Sequence, residues 1–254
     1  MHENATLYRS PAHRWRRRPV VVAGAVLLAT AVPLTLDRVA AARAEAHTAD
    51  AFQKGMGTPE PPEVHVRGFP ALTQVASGTL RQVDITAHDI PADGDTRPLP
   101  VTELDLQLSE LTKSDDDSEA RARSAEAIAH LSYRDLSDAL GLEVSRGEDP
   151  GRFGASVLIP LSGEVTVTTA VSAASGNRVA FDDFEVTGGV LPAVGRAALE
   201  RVFQQPIQLQ GIPEGLRLRS VTATANGVDA RFSGESVTFR PYSESVTFRP
   251  SRDA

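Results

Sequence analysis

From residue 64 onward, apolar and polar residues alternate along several short segments, and this alternation constrains the fold more than any other feature of the chain. It is clearest in residues 83–87, 104–108, 165–171 and 228–232. Successive side chains of a β-strand point to opposite faces of the sheet. Such segments therefore bury one face and expose the other, as in antiparallel sheets. The pairs Gly176-Asn177 and Asn226-Gly227 lie between them and predict turns.

Two further segments carry helix signals. Ser132 followed by Asp135 is a capping box, and Gly141 is placed to end the helix that the box begins. Residues 191–203 begin with a proline in the first turn and place apolar residues on one face. Residues 118–131 are ambiguous, because their alanines favour a helix while the segment is also able to pair as a strand. The predicted fold class is α+β, with more sheet than helix.

The N-terminus combines a basic cluster with an apolar run. Five arginines lie within residues 1–18, and residues 20–36 carry no charge. A basic flank before an apolar run predicts a cytoplasmic N-terminus and export of the chain beyond the run. Two interpretations stay open. We favour an uncleaved membrane anchor, because Asp37 and Arg38 separate the apolar run from the small residues at 40–42. The alternative is a signal peptide cleaved at those alanines, which would release a secreted domain.

These features divide the chain into five predicted segments. They are a cytoplasmic basic segment (1–18), a transmembrane anchor or signal segment (19–36), a helical stalk with a Pro/Gly linker (37–62), the main domain (63–240) and a C-terminal tail (241–254). The sequence ESVTFRP of residues 235–241 recurs at 244–250, which we interpret as a tandem duplication. The alternative is an added edge strand that pairs with a neighbour.

Composition and motifs exclude several classes of function. The chain has no cysteine, which excludes disulfides, thiolate catalysis and Cys-ligated zinc. The net charge of −7 argues against nucleic acid as a partner, since the arginine cluster precedes the main domain. No HExxH, Gly-x-Ser-x-Gly or glycine-rich phosphate motif occurs. The acidic run at 115–119 matches part of a calcium loop but has Ala120 where that loop needs glycine. We therefore predict no catalytic residues, metal or cofactor.

Three motifs occur in an order that resembles a known family. Residues 64–74 read VHVRGFPALTQ, a strand that runs into Gly-Phe-Pro and then Leu and Gln. The motifs SYRDL at 132–136 and IPEGL at 212–216 come next, the latter before the turn at 226–227. In this order they resemble the LmeA-like phospholipid-binding family of actinobacterial cell-envelope proteins, over about residues 14–240. One departure is Ala71, where the family commonly has a second aromatic residue.

The resemblance implies a single lipid-binding domain similar to tubular lipid-binding (TULIP-like) folds. In these folds a curved, mainly antiparallel sheet and a few helices enclose an apolar groove. The implied partners are phospholipid and the membrane. The implied role is that of a lipid carrier or accessory factor in envelope lipid or glycolipid assembly, held at the cell membrane outside the cytoplasm.

The same resemblance directs attention to nine apolar residues. We expect Phe69, Leu72 and Val75 at the mouth of the groove, and Leu104, Leu106, Leu108, Val165, Val167 and Val171 along it. Each of the strand residues is also compatible with an ordinary core position. Arg67 and Arg81 are candidates to meet a lipid phosphate. Two other hypotheses are a scaffold that recruits an envelope-biosynthesis enzyme through its surface, and a lipid-modifying enzyme with an unfamiliar site.

Overall fold

The computed structural model describes residues 17–92, 99–114, 119–149, 151–159, 163–189, 196–197, 204, 206–209 and 211–240, with side chains from residue 33 and without those of 157 and 159. The helices are α1 (Arg17–Met56), α2 (Ala71–Ser77) and α3 (Tyr133–Leu140). The strands are β1 (Glu63–Arg67), β2 (Thr79–Ile90), β3 (Val101–Lys113), β4 (Ala120–Ser132), β5 (Glu143–Arg146), β6 (Arg152–Ile159), β7 (Gly163–Ala174), β8 (Arg178–Gly188), β9 (Ile207–Gln208), β10 (Glu214–Ala223) and β11 (Gly227–Phe239).

The first sheet has six strands in the order β1-β2-β3-β4-β11-β10, every neighbour antiparallel, and it curls into a half-barrel. At one edge of this sheet, the neighbouring strands β11 and β10 approach closely where their register shifts. A Cβ atom at Gly234 would lie 2.1 Å from the carbonyl oxygen of Gly215. Only glycine therefore allows this approach, which bends the edge of the sheet.

The second sheet has five strands in the order β5-β6-β7-β8-β9, also antiparallel. Phe153 and Phe181 make an edge-to-face ring contact across β7, with centroids 6.2 Å apart. At one end, Val171 and Val179 of this sheet pack against Leu218 and Val221 on β10 of the first sheet. The two sheets therefore meet at the β10 edge of the half-barrel.

The C-terminal part of α1 packs on the first sheet. Ala49 and Phe52 contact the core cluster that covers β2, β3 and β4. The carboxylate of Glu45 accepts a hydrogen bond from the backbone N–H of Val66 on β1, at 2.9 Å. The part of the chain predicted as a stalk therefore lies against the domain. Within the residues whose side chains the structure describes, which begin at residue 33, no helix is long and apolar enough to cross a membrane.

The locally encoded elements agree with the sequence predictions. Helix α3 begins at the N-cap Ser132, whose hydroxyl accepts from the N–H of Asp135, and it ends at Gly141 in the left-handed conformation. The predicted hairpin of β10 and β11 is present, but its turn is formed by residues 224–226, and Gly227 already begins β11. The α+β class is confirmed. The ambiguous segment 118–131 is mainly strand β4. Most of the predicted helix 191–203, the loop at 115–118 and the second copy of the repeat lie outside the described residues.

Candidate functional site

The apolar interior has two parts that differ in how closely they are packed. The first cluster, under α1, has ten buried residues among its described members, including Val83, Ile85 and Leu108. The second cluster lies where the two sheets meet, and we call it the intersheet cluster. Its described members are four buried residues, Ala129, Leu218, Val221 and Ala230, and nine partly buried ones. The partly buried members are Val101, Leu104, Leu131, Val171, Ala173, Val179, Leu209, Val228 and Phe232.

The ratio of buried to partly buried side chains identifies the intersheet cluster as the candidate site. Among the described residues, nine partly buried apolar side chains pack against only four buried ones there, whereas nine pack against ten in the first cluster. Contact between water and apolar surface costs about 25 cal/mol for each Å². An apolar ligand that covers this region removes that cost, which is a gain in stability. A fully packed core offers no such gain. An apolar wall that is preformed but incompletely covered is the usual character of a small-molecule pocket.

Strand β4 supplies the small residues that line the centre of the sheet. Ala125, Ala127 and Ala129 all point to the apolar face, since each lies opposite a leucine of β3 in the antiparallel register. On the other side, Ala129 lies opposite Ala230 of β11. A row that runs from Leu104 through two alanines to Val221 therefore places the smallest side chains between two larger ones. This arrangement forms a shallow apolar trough at the intersheet cluster.

The structure divides the six predicted lining residues on strands among three places. Leu106 and Leu108 are buried in the first cluster, while Leu104 is partly buried and packs against both clusters. Val165 and Val167 are buried on β7. Val171 lies further along β7, at the contact with the first sheet. Leu104 and Val171 are therefore brought to the same cluster, although they are distant in sequence.

The three residues expected at the groove mouth lie elsewhere. Phe69 precedes α2, and Leu72 and Val75 lie on it; their exposed fractions are 64%, 49% and 44%. None of them appears in either cluster of described core residues. Val75 and Leu72 share the outer side of α2, because Ala71 and Gln74 occupy the buried side. These residues form an exposed apolar patch that is separate from the intersheet cluster.

A polar network borders the intersheet cluster near Val101. The carboxylate of Asp135 accepts hydrogen bonds from the hydroxyls of Thr102 and Ser132. The Thr102 hydroxyl also accepts from the backbone N–H of Ser132 at 2.8 Å, so the network ties β3 to the start of α3. These hydrogen bonds, that from Thr102 foremost, hold the pKa of Asp135 below its ordinary value.

The side chain of Tyr133 links α3 to the β10–β11 hairpin. Its hydroxyl donates to the carbonyl oxygen of Thr224 in the β10–β11 turn, at 2.9 Å. A phenol is protonated at neutral pH, and burial raises the pKa of Tyr133, so this donor is retained into more alkaline solution than for an exposed tyrosine. The helix α3 and the hairpin are thereby held together beside the cluster.

Other surfaces offer less support for a site. An open cleft of about 490 Å³ at the far end of the first sheet is lined mostly by polar and charged residues, among them Glu110, Arg121 and Arg123. Arg123 pairs with Glu110 there. Within the described part of the chain, no group of three or more His, Cys, Asp or Glu residues is placed to hold a metal ion.

Three residues hold this architecture through hydrogen bonds that no sequence pattern predicts. Asp37 is buried and bonds to α2, and Gln74 bonds to the segments on both sides of α2. Asn177 donates to the carbonyl oxygen of Leu216 at 3.2 Å and accepts from the N–H of Leu218 at 2.8 Å. The turn signal at Asn177 was visible in the sequence, but its partner strand was not, because β10 is about 40 residues away.

Comparison with known families identifies the class of protein. A model of the LmeA-like phospholipid-binding family matches residues 35–233. Because the match covers most of the chain, the protein belongs to this family, and the resemblance in the sequence is confirmed. Comparisons with curated proteins and with solved structures gave no significant match. The matched range begins just before Asp37, so the part of α1 that contacts α2 lies within the family's domain.

Proposed function

We propose that this protein binds phospholipid, with acyl chains against the intersheet cluster, while the N-terminal helix anchors it to the cell membrane outside the cytoplasm. The observation that carries the proposal is the set of nine partly buried apolar residues around Ala129, Leu218, Val221 and Ala230. Membership in a phospholipid-binding family supports the ligand class. Burial of the acyl chains provides the binding free energy, since each buried methylene contributes about 0.8 kcal/mol. Such binding needs no catalytic group.

The geometry of Asp37 supports an anchor that is retained. Cleavage at the alanines of 40–42 would remove Asp37, which is buried and accepts a hydrogen bond from the N–H of Leu72. A buried N–H group left without its acceptor costs about 1–3 kcal/mol. The uncharged run at 20–36 supplies the apolar length that precedes this contact. We therefore favour the uncleaved form over the secreted one.

The role that fits these features is a lipid carrier or accessory factor in assembly of envelope lipids or glycolipids. An anchored domain with an incompletely covered apolar surface is suited to take a lipid from the adjacent bilayer and to present it to another protein. The covering of the apolar surface by an acyl chain is reversible, since it forms no covalent bond.

Native mass spectrometry of the full chain, purified from membranes in detergent, tests lipid binding. The expected result is a stoichiometric phospholipid that survives purification and is identified after extraction. Val171→Asp places a charge at the intersheet cluster and should remove that lipid. Thr187→Asp adds the same charge at an exposed position of β8 and serves as the matched control. Wild-type protein that carries no lipid and takes up none when phospholipid is added would refute the proposal.

A further inference from the structure

We propose that α2 and the residues beside it form a second lipid-contacting surface, which lies on the bilayer itself rather than around a single bound lipid. The surface consists of Phe69, Leu72 and Val75 together with Leu34, Leu36 and Val39 of α1; all six are exposed. This proposal rests on the membrane anchor of the proposed function. The surface itself is distinct from the intersheet cluster. The partner is the headgroup and upper acyl region of a phospholipid bilayer.

The first argument is the position of α2 along α1. The carboxylate of Asp37 accepts a hydrogen bond from Leu72 N–H at 2.8 Å, which fixes α2 beside the turn of α1 just after Leu36. Leu36 is the last residue of the uncharged run. A helix rises about 1.5 Å for each residue, so Val39 is only about 4.5 Å further along the axis. An anchor buried as far as Leu36 therefore places α2 at the level of the headgroups.

The second argument is the apolar character of this surface. Phe69, Leu72 and Val75 present apolar side chains on the outside of a short helix whose buried side is already occupied by Ala71 and Gln74. Within α1, Leu34, Leu36 and Val39 are also exposed, on different sides of the helix, and they lead towards the apolar run. Such a surface costs free energy in water and is typical of segments that lie in a membrane interface.

The third argument is charge. Arg38, Arg67 and Arg81 are exposed beside the patch. Arg81 is held there because its backbone N–H donates to Gln74, and its side chain lies next to Gly68. Arginine at the edge of an apolar patch suits the phosphates of a bilayer. This positive border contrasts with the net charge of −7 of the whole chain.

The acidic residues at this surface are already engaged. Asp37 is bonded to α2, and Asp84 is bonded to Arg67 and Gln82. Burial acts to raise the pKa of Asp84, but the hydrogen bonds and the charge of Arg67 outweigh it and lower that pKa. Asp84 therefore stays ionised and holds Arg67 at the border of the patch.

Site-directed fluorescence in the full chain tests the proposal. Because the chain has no cysteine, a single introduced cysteine carries an environment-sensitive label without ambiguity. Leu72→Cys places the label on the patch, and Leu140→Cys on α3 is the matched control, since the two leucines are 49% and 51% exposed. The labelled proteins are reconstituted in vesicles of phosphatidylcholine and phosphatidylglycerol, and quenching by doxyl-labelled phospholipids is measured.

The expected result is a blue-shifted emission and strong quenching for the label at position 72, against a water-like emission and little quenching at position 140. Leu72→Asp combined with Val75→Cys should abolish the blue shift at position 75, while the co-purified lipid is retained. A label at 72 that behaves like the label at 140, in protein that resists carbonate extraction, would overturn the docking surface and leave the anchor intact.

Two other outcomes would also overturn the proposal that α2 docks on the bilayer. Release of the protein from the vesicles by carbonate would refute the anchor and the docking surface together. Quenching at position 72 that is equally strong in detergent with one doxyl phospholipid for each chain would assign the patch to a bound lipid molecule. Quenching that requires the vesicle supports docking on the bilayer.

Discussion

The carboxylate of Asp37 on α1 accepts a hydrogen bond from the backbone N–H of Leu72 in the first turn of α2, at 2.8 Å and across 35 residues of sequence. The N-cap position of α2 is Pro70, which offers no side-chain acceptor. Asp37 therefore supplies from a different helix the cap that the local sequence lacks. The relationship makes α2 dependent on α1, and it couples the candidate anchor to the lipid-binding domain.

Replacement of Asp37 by alanine should destabilise the domain by about 0.5–2 kcal/mol, the usual cost of a lost helix cap. The comparison is Asp50→Ala on the same helix. Asp50 forms an exposed i,i+4 ion pair with Lys54, which is worth at most about 0.5 kcal/mol. Urea unfolding of the full chain in detergent, followed by circular dichroism, measures both. Equal unfolding midpoints for the two variants would show that Asp37 does not cap α2.

Gln74 joins α2 to the segments on each side of it. Its side-chain oxygen accepts from the N–H of Arg81 at 2.8 Å, and its nitrogen donates to the carbonyl oxygen of Gly68 at 3.0 Å. Gln74→Glu removes the donor and sets a carboxylate against a carbonyl. We expect a loss of about 1–3 kcal/mol, as for a buried polar group left unsatisfied. Thr73→Glu, which adds the same negative charge at an exposed position of α2, is the control in the same unfolding assay. The prediction fails if the two changes cost the same.

The contrast between α3 and α2 shows what the sequence is able to predict. Ser132, Asp135 and Gly141 lie within one short segment, so both ends of α3 were predicted from local chemistry and confirmed. The cap of α2 comes from Asp37, and no local signal indicates it. Strand β4 was ambiguous because alanine favours helices, and its pairing with β3 and β11 decides the outcome.

The candidate site was only partly predictable for the same reason. Alternation identified Leu104, Leu106 and Leu108 as residues of one face, and that is where the structure places them. Periodicity does not distinguish a packed core from an incompletely covered surface. That difference depends on how the second sheet meets β10, a contact that joins Val171 to residues some 50 positions away.

Asn177 has a left-handed backbone conformation and also makes two side-chain hydrogen bonds. Two substitutions separate the contributions of these two features to stability. Its φ of 56° is left-handed, and its amide pairs with Leu216 and Leu218 on the edge strand β10. Asn177→Gly keeps the backbone conformation but loses both hydrogen bonds, for an expected cost of about 1–3 kcal/mol. Asn177→Ala should cost about 1 kcal/mol more, because alanine is strained at positive φ. Equilibrium unfolding gives both values. A glycine variant as stable as wild type would show that the amide does not join the sheets.

The lowered pKa of Asp135 predicts a dependence of stability on pH. A carboxyl group whose pKa is lower in the folded state stabilises the fold above its unfolded pKa of about 3.9, and this contribution is lost as the pH falls through the folded value. Thr102→Val removes the main hydrogen bond responsible. The variant should therefore be less stable than wild type at about pH 7, and this difference should shrink at about pH 3.

Thr86→Val is the control for this comparison, because Thr86 makes an exposed hydrogen bond to Asp105 on the same sheet. Denaturant unfolding of wild type and both variants at the two pH values gives the differences. A deficit of Thr102→Val that is the same at both pH values would show that its cause is the lost bond to Ser132 N–H, and not the ionised carboxylate.

The same substitution at two alanines of β4 distinguishes a closed core from a ligand surface. Ala125 lies in the first cluster and is 1% exposed, whereas Ala129 lies in the intersheet cluster among partly buried neighbours. Ala125→Leu overfills a packed region and should cost about 1–3 kcal/mol. Ala129→Leu should cost less, because its added methyl groups enter the incompletely covered trough, and they should displace the co-purified phospholipid. Unfolding free energies and lipid stoichiometry by native mass spectrometry check both variants. The substitution that blocks binding identifies the position of the acyl chains. If Ala129→Leu retains the lipid while Ala125→Leu loses it, the acyl chains lie in the first cluster and not in the intersheet cluster.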